Sequence, residues 1–124
     1  MKISARNQLK GTVKNINEGA VNGIVTLEIA GGKEISATIS MSSIKELGLA
    51  AGKEAYAIIK STEVMIADGV QKISARNQLA ARITGIEEGK ANGTVSLELP
   101  CGYGISATIS MKAIELMNLA PDRT

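Results

Sequence analysis

The chain has 124 residues, a net charge of +2 and no histidine. That charge is too weak for a nucleic-acid footprint. Without histidine the usual general base near neutral pH is missing, which excludes Ser-His-Asp and Cys-His catalysis and zinc sites built on His. Cys101 is the only cysteine, so there is no disulfide framework and no thiol metal site.

The N-terminus carries no apolar signal-peptide segment. No apolar run approaches the roughly 20 residues that cross a bilayer. These features point to a soluble cytoplasmic protein. The segment Ser4 to Ile16 begins polar and then shows Val13 and Ile16, with Glu18-Gly19 as a turn. Val25, Leu27 and Ile29 alternate with polar residues, the period of a half-buried strand. Gly31-Gly32 marks a hairpin turn, and Ile35, Ala37 and Ile39 alternate again. Ser40 opens a short helix with Ile44 and Leu47 on one face and Gly48 at its C-terminal cap. Ala55 to Lys60 and Val64 to Ile66 read as closing strands.

Asp68-Gly69 signals a linker, and the chain then says the same thing again. Lys2 to Leu9 returns letter for letter as Lys72 to Leu79, and the similarity runs ungapped to Glu54 and Thr124. Val95, Leu97 and Leu99, then Ile105, Ala107 and Ile109, repeat the strand pattern, and Ser110 opens the second helix. Two copies of one small module are joined head to tail, 1–68 and 72–124. The fold class is mainly β: two tandem OB-like five-stranded barrels, each with one short helix. The second copy has no counterpart of Ala55 to Ile66, so its barrel lacks closing strands unless another segment supplies them. Modules of roughly 50–70 residues have marginal cores. Only Tyr56 and Tyr103 are aromatic, so the copies are expected to pack together and the chain to oligomerise.

Few residues carry chemistry. Glu87-Glu88 sits in a turn and reads as a solvated loop. Gly102-Tyr103-Gly104 aligns with the Gly32 hairpin and precedes no helix, so it is a turn rather than a phosphate loop. Met41, Met65, Met111 and Met117 read as core gap-fillers, and Cys101 as incidental. What remains is a set of anion-binding groups. Arg6 presents a fixed fork of donors, Ser4 a hydroxyl and Asn7 an amide. Lys60-Ser61-Thr62 adds a cation and two hydroxyls, and Ser40 and Ser43 stand at a helix start. Taken singly these are ordinary: Arg6 reads equally as a surface ion pair, Ser40 as an N-cap, and Ser43 with Glu46 as a capping box. Together, in a His-free and aromatic-poor chain, they point to a tetrahedral anion.

The run Ser4-Ala5-Arg6-Asn7-Gln8-Leu9-Lys10-Gly11 resembles the opening motif of the molbindins, the Mop-type molybdate-binding domains. The resemblance continues through Gly19-Ala20-Val21-Asn22, Glu46-Leu47-Gly48-Leu49 and Ile59 to Ile66. It implies OB-like barrels (the TOBE class) in assemblies of six modules, so that tandem members form homotrimers. It also implies molybdate or tungstate bound between modules, with no organic cofactor. Carried over, Ser4, Ala5, Arg6 and Asn7 hold the anion with Lys60 and Ser61, and Ser40 and Ser43 come from an adjoining module. A donor-only site suits a dianion and leaves the proton of hydrogen phosphate unpaired.

The second copy keeps Ser74, Arg76, Asn77 and Ser110, but has Ala113 in place of Ser43 and Ala80-Ala81 in place of Lys10-Gly11. It has no Lys60-Ser61 equivalent, so sites that need a lysine from it should be lost or weakened. The second module is expected to be natively truncated or degenerate and completed by packing; a frameshifted or cut gene product is the alternative. The expected function is non-catalytic storage and homeostasis of molybdate or tungstate. The alternative is a molybdate-sensing regulatory module acting through a partner protein. An OB-fold nucleic-acid binder would need aromatic stacking platforms and a basic groove. An enzyme lacks an acid–base pair, and a pterin site lacks an aromatic shelf.

Overall fold

The computed structural model describes residues 7–67 and 77–121. The linker signal at Asp68-Gly69 and the segments holding Ser4 to Arg6 and Ser74 to Arg76 lie outside them.

The first copy builds a four-stranded sheet from β1 (Asn7–Glu18), β2 (Asn22–Ile29), β3 (Glu34–Ser40) and β4 (Glu54–Ile59), in the order β3-β2-β1-β4. β1 and β2 pair antiparallel, with a shift in register between Val13 and Asn15. Such a bulge adds local twist and bends the strand, which lets the long β1 serve both β2 and β4. β2 and β3 pair from Asn22↔Ser40 to Glu28↔Glu34. Alternation decides what is buried: Val13, Val25, Leu27, Ile29 and Ile35 face the core, together with Leu9.

The helix α1 (Met41–Leu47) follows β3 directly. The Ser40 side chain accepts a hydrogen bond from the Ser43 N–H at 3.1 Å, so the N-cap is Ser40, and the Ser43–Glu46 capping box is not the one used. Gly48 ends the helix with φ 64°, the left-handed position that glycine adopts without a Cβ clash. Ile44 is buried, but Leu47 is 60% exposed: one helical turn carries a single inward residue here, not two.

The second copy repeats the hairpins as β5 (Arg82–Glu87), β6 (Asn92–Glu98) and β7 (Gly104–Ser110), in the order β5-β6-β7, with α2 (Met111–Leu116) after β7. The bulge recurs between Ile83 and Gly85. Asn118, at φ 51°, takes the place of Gly48. Gly23 and Gly93 allow close packing under each helix: a Cβ there would meet Ile44 Cδ1 at 2.8 Å and Ile114 Cδ1 at 2.6 Å. Nothing equivalent to β4 follows α2 among the described residues, so the second sheet is the incomplete one.

Two expectations change. Val64 to Ile66 form no ladder; a single 3-10 turn, Ser61–Glu63, ends β4's direction and the next residues run on as irregular chain. Met65 is 75% exposed and fills no core gap. Its neighbours Val64 and Ile66 are half-buried, as in an extended segment with one inward side.

The compact units do not follow the repeats. One comprises described residues 7–8, 58–67 and 79–121; the other comprises 9–57 with 77–78. In the first, Ile83, Val95 and Ile114 form a core against which Ile66, Ile86, Leu97, Ile109, Met111 and Leu119 pack. Ile66 belongs to the first copy by sequence and to the second copy's core by packing.

Candidate functional site

β7 is the outer strand of its sheet, and two distant segments of the first copy meet it. The Asn7 amide nitrogen donates to the Ser106 carbonyl at 2.8 Å, and its oxygen accepts the Ser106 N–H at 2.7 Å. A side-chain amide has the same donor–acceptor pair as a peptide group, so Asn7 pairs with the strand edge as a neighbouring strand would. Asn7 is 1% exposed. Two residues along, the Ser61 and Thr108 hydroxyls share a hydrogen bond of 2.8 Å. Lys60 caps the 3-10 turn that carries Ser61 and is exposed. Ser110 continues the same strand face and caps α2 by accepting the Ala113 N–H at 3.1 Å.

The other unit repeats the first of these contacts. The Asn77 amide donates to the Ser36 carbonyl at 2.9 Å and accepts its N–H at 2.7 Å, on the outer strand β3. Each copy's Asn thus pairs with the edge strand of the other copy. Ser40 and Ser43 sit at the end of β3. Ser40 Oγ donates to Ser43 Oγ at 2.9 Å and lies 3.2 Å from Ser42 Oγ. In the second copy Ala113 removes that second hydroxyl.

The structure therefore gathers Asn7, Lys60, Ser61 and Ser110 in one unit, and Ser40, Ser43 and Asn77 in the other. Ser4, Ala5, Arg6, Ser74 and Arg76 lie outside the described residues. Ser106, Thr108 and Ser36 emerge only from the structure. The signal for them was present: Ile35-Ser36-Ala37-Thr38-Ile39-Ser40-Met41 recurs unchanged as Ile105-Ser106-Ala107-Thr108-Ile109-Ser110-Met111. Among the described residues, no buried side-chain donor or acceptor lacks a partner, and no group of His, Cys, Asp or Glu is arranged to hold a metal ion. No helix there is long and apolar enough to cross a membrane. Among the described residues the one resolved ionisation shift is at Lys14, where the hydrogen bond and charge of Glu34 raise the ammonium above its ordinary 10.5.

The TOBE domain family matches residues 3–66 and again 73–124. A probable molybdenum-pterin-binding protein of Haemophilus influenzae is 61% identical over 66 residues, 53% of this chain and 96% of that protein. The molybdenum transport protein ModE of Azotobacter vinelandii is 38% identical over 122 residues, 98% of this chain but 45% of that protein. The chain thus spans less than half the length of this longer relative. Among solved structures, the cytoplasmic molybdate-binding protein ModG with molybdate bound superposes with a TM-score of 0.95 at 39% identity. That match covers 99% of this chain and 89% of ModG. The chain belongs to the TOBE-domain family and, within it, to the Mop-type molbindins.

Proposed function

We propose that the chain binds molybdate or tungstate in the cytoplasm, without catalysis, as a store that buffers the free anion. The observation that carries this reading is the convergence on β7 of Asn7 and Ser61, two segments far apart in sequence. One is the residue after Arg6; the other is the residue after Lys60. A guanidinium, an ammonium, hydroxyls and the second N–H of the Asn amide make a donor-only set, which suits a dianion. In this reading Ser4, Ala5, Arg6, Asn7, Lys60 and Ser61 hold the anion, with Ser40 and Ser43 from an adjoining module of a homotrimer. Ser110 is the second-copy neighbour of the Lys60–Ser61 pair, and Ser74, Arg76 and Asn77 belong to the weaker set that has no lysine of its own. Pterin stands in the names of several relatives, but this donor set suits an oxyanion, and no aromatic ring belongs to it.

Native mass spectrometry with and without molybdate tests the reading. A trimer gaining several molybdate masses is the expected result; a protein that takes up none overturns it. Arg6→Ala should weaken binding at least tenfold, because charge-assisted hydrogen bonds contribute about 1.5–3 kcal/mol. An unchanged affinity removes Arg6 from the site. The second reading, an anion-sensing module acting through a partner, is favoured by the match to the much longer ModE proteins. Binding of molybdate by the chain together with a change in its capture of a partner would select it.

A further inference from the structure

Ser61 is held twice. Its backbone opens the 3-10 turn Ser61–Glu63, which the Glu63 N–H closes on the Lys60 carbonyl at 2.9 Å. Its side chain is held by Thr108, whose Oγ1 lies 2.8 Å from the Ser61 Oγ in a half-buried contact. The two ends of that contact are unequal. A serine side chain turns among its staggered positions, whereas a β-branched threonine is stiff at χ1. Thr108 lies inside β7 and faces Thr94 across the ladder with β6, so its hydroxyl is a fixed post. It also stands between Ser106 and Ser110 on one side of β7. Asn7 bonds the peptide of the first, and the second caps α2.

Each hydroxyl has one proton to give. In the free protein either atom can donate across the contact. A dianion within reach of Ser61 removes that choice. It accepts and never donates, so the Ser61 proton goes to it. The contact to Thr108 then survives only if Thr108 donates to the Ser61 Oγ. The row of bonds runs one way, from Thr108 to Ser61 to the anion, and each bond polarises the next. We propose that Thr108 is a positioning residue for oxyanion binding: it gives its hydroxyl proton to Ser61 and so turns the Ser61 proton toward the anion. The proposal rests on the reading of Ser61 as an anion ligand. Without the Thr108 hydroxyl, Ser61 swings among its rotamers and presents lone pairs to the dianion for part of the time.

Calorimetric titration of the full chain with molybdate tests this, with urea unfolding of each variant alongside. Thr108→Val should weaken binding about three- to tenfold, the span of one net hydrogen bond. Thr108→Ala should give the same loss, so the result does not hang on how valine packs. Thr108→Ser, which keeps the hydroxyl, should bind as the wild type does. Ser61→Ala with Thr108→Val should bind no more weakly than Ser61→Ala alone, because Thr108 then has nothing to orient; a threonine acting only through packing would weaken the double variant further. Thr38→Val, at the exposed counterpart on β3, should leave affinity unchanged. Wild-type affinity in Thr108→Val and Thr108→Ala beside a weakened Ser61→Ala overturns the inference and leaves the functional reading standing. A further loss in the double variant, an equal loss in Thr38→Val, or unchanged affinity in Ser61→Ala also overturns it. A wild-type chain that takes up no molybdate fells the functional reading itself, and this inference with it.

Discussion

Asn7 and Asn77 occupy equivalent places in identical octapeptides and make the same pair of hydrogen bonds, yet they should differ sharply when truncated. Asn7→Ala removes two bonds at 2.7 and 2.8 Å from a position that is 1% exposed. Each such bond contributes about 0.5–1.5 kcal/mol net, and a buried group left unpaired costs about 1–3 kcal/mol more. Ser106 is only half-buried, so the smaller penalty applies, and the total is about 2–4 kcal/mol. Asn77→Ala removes bonds of 2.7 and 2.9 Å, but Asn77 itself is exposed to water. Its cost should stay near 0.5–1.5 kcal/mol, roughly that of the bonds alone. Asn7→Asp should be worse than Asn7→Ala, because it sets a carboxylate oxygen against the Ser106 carbonyl. Urea unfolding of the three variants, with amide exchange at Ser106 and Ser36 as the local readout, measures this. If Asn77→Ala costs as much as Asn7→Ala, or if Asn7→Asp is tolerated, the edge-pairing account is wrong.

Two further outcomes follow from the same geometry. Ile66→Asp should destabilise the second copy's core by at least about 1–2 kcal/mol, the transfer cost of a half-buried Ile, whereas Met65→Asp, at a position 75% exposed, should leave the urea midpoint unchanged; equal effects would separate residues 58–67 from that core. Lys14→Met should lower the melting temperature at neutral pH by an amount that shrinks in molar salt, since the pair with Glu34 is solvent-exposed. The Lys14 pKa is raised by folding, so its contribution is fully present below 10.5 and is lost as pH rises through the raised value. A wild-type advantage that persists beyond that range would exclude the ion pair as its source.

Much of the fold is written locally. Strand alternation at Val25, Leu27 and Ile29, the turn at Gly31-Gly32, and Ser40 and Gly48 at the helix ends are each decided by a few neighbouring residues, and each appears where expected. What local pattern does not carry is partnership. Nothing in Lys60 to Ile66 says that it packs on the other copy's core, because its apolar side suits either β3 or β7, which are identical from Ile35 to Ser40 and from Ile105 to Ser110. The same holds for Asn7: the sequence marks it as a polar residue repeated for a reason, but its amide fits any peptide group on an edge. Leu47 and Met65 misled because apolar character alone does not choose the buried side of a short element.

The exchange of segments between copies sets a condition on a single copy. Residues 1–67 alone would hold Asn7 with no β7 to pair with, and Ile66 with no Ile83–Val95–Ile114 core to enter. Their β3 would also lack Asn77. The losses estimated above, about 2–4 kcal/mol at Asn7 and about 1–2 kcal/mol at Ile66, take a large share of the 5–15 kcal/mol that holds a small domain folded. A second single copy offers a remedy, since its β3 carries the same Ser36-Ala37-Thr38 that β7 presents as Ser106-Ala107-Thr108. Two copies can each place Asn7 on the partner's Ser36 and residues 60–66 along the partner's Thr38. The exchange is reciprocal, so it closes in pairs. The Haemophilus influenzae relative, which matches 66 residues over 96% of its length, has the size of such a single copy. Residues 1–67 expressed alone should therefore assemble in even numbers and show no folded monomer by native mass spectrometry at any concentration. A cooperatively unfolding monomer of that fragment would refute the exchange as a requirement of the fold.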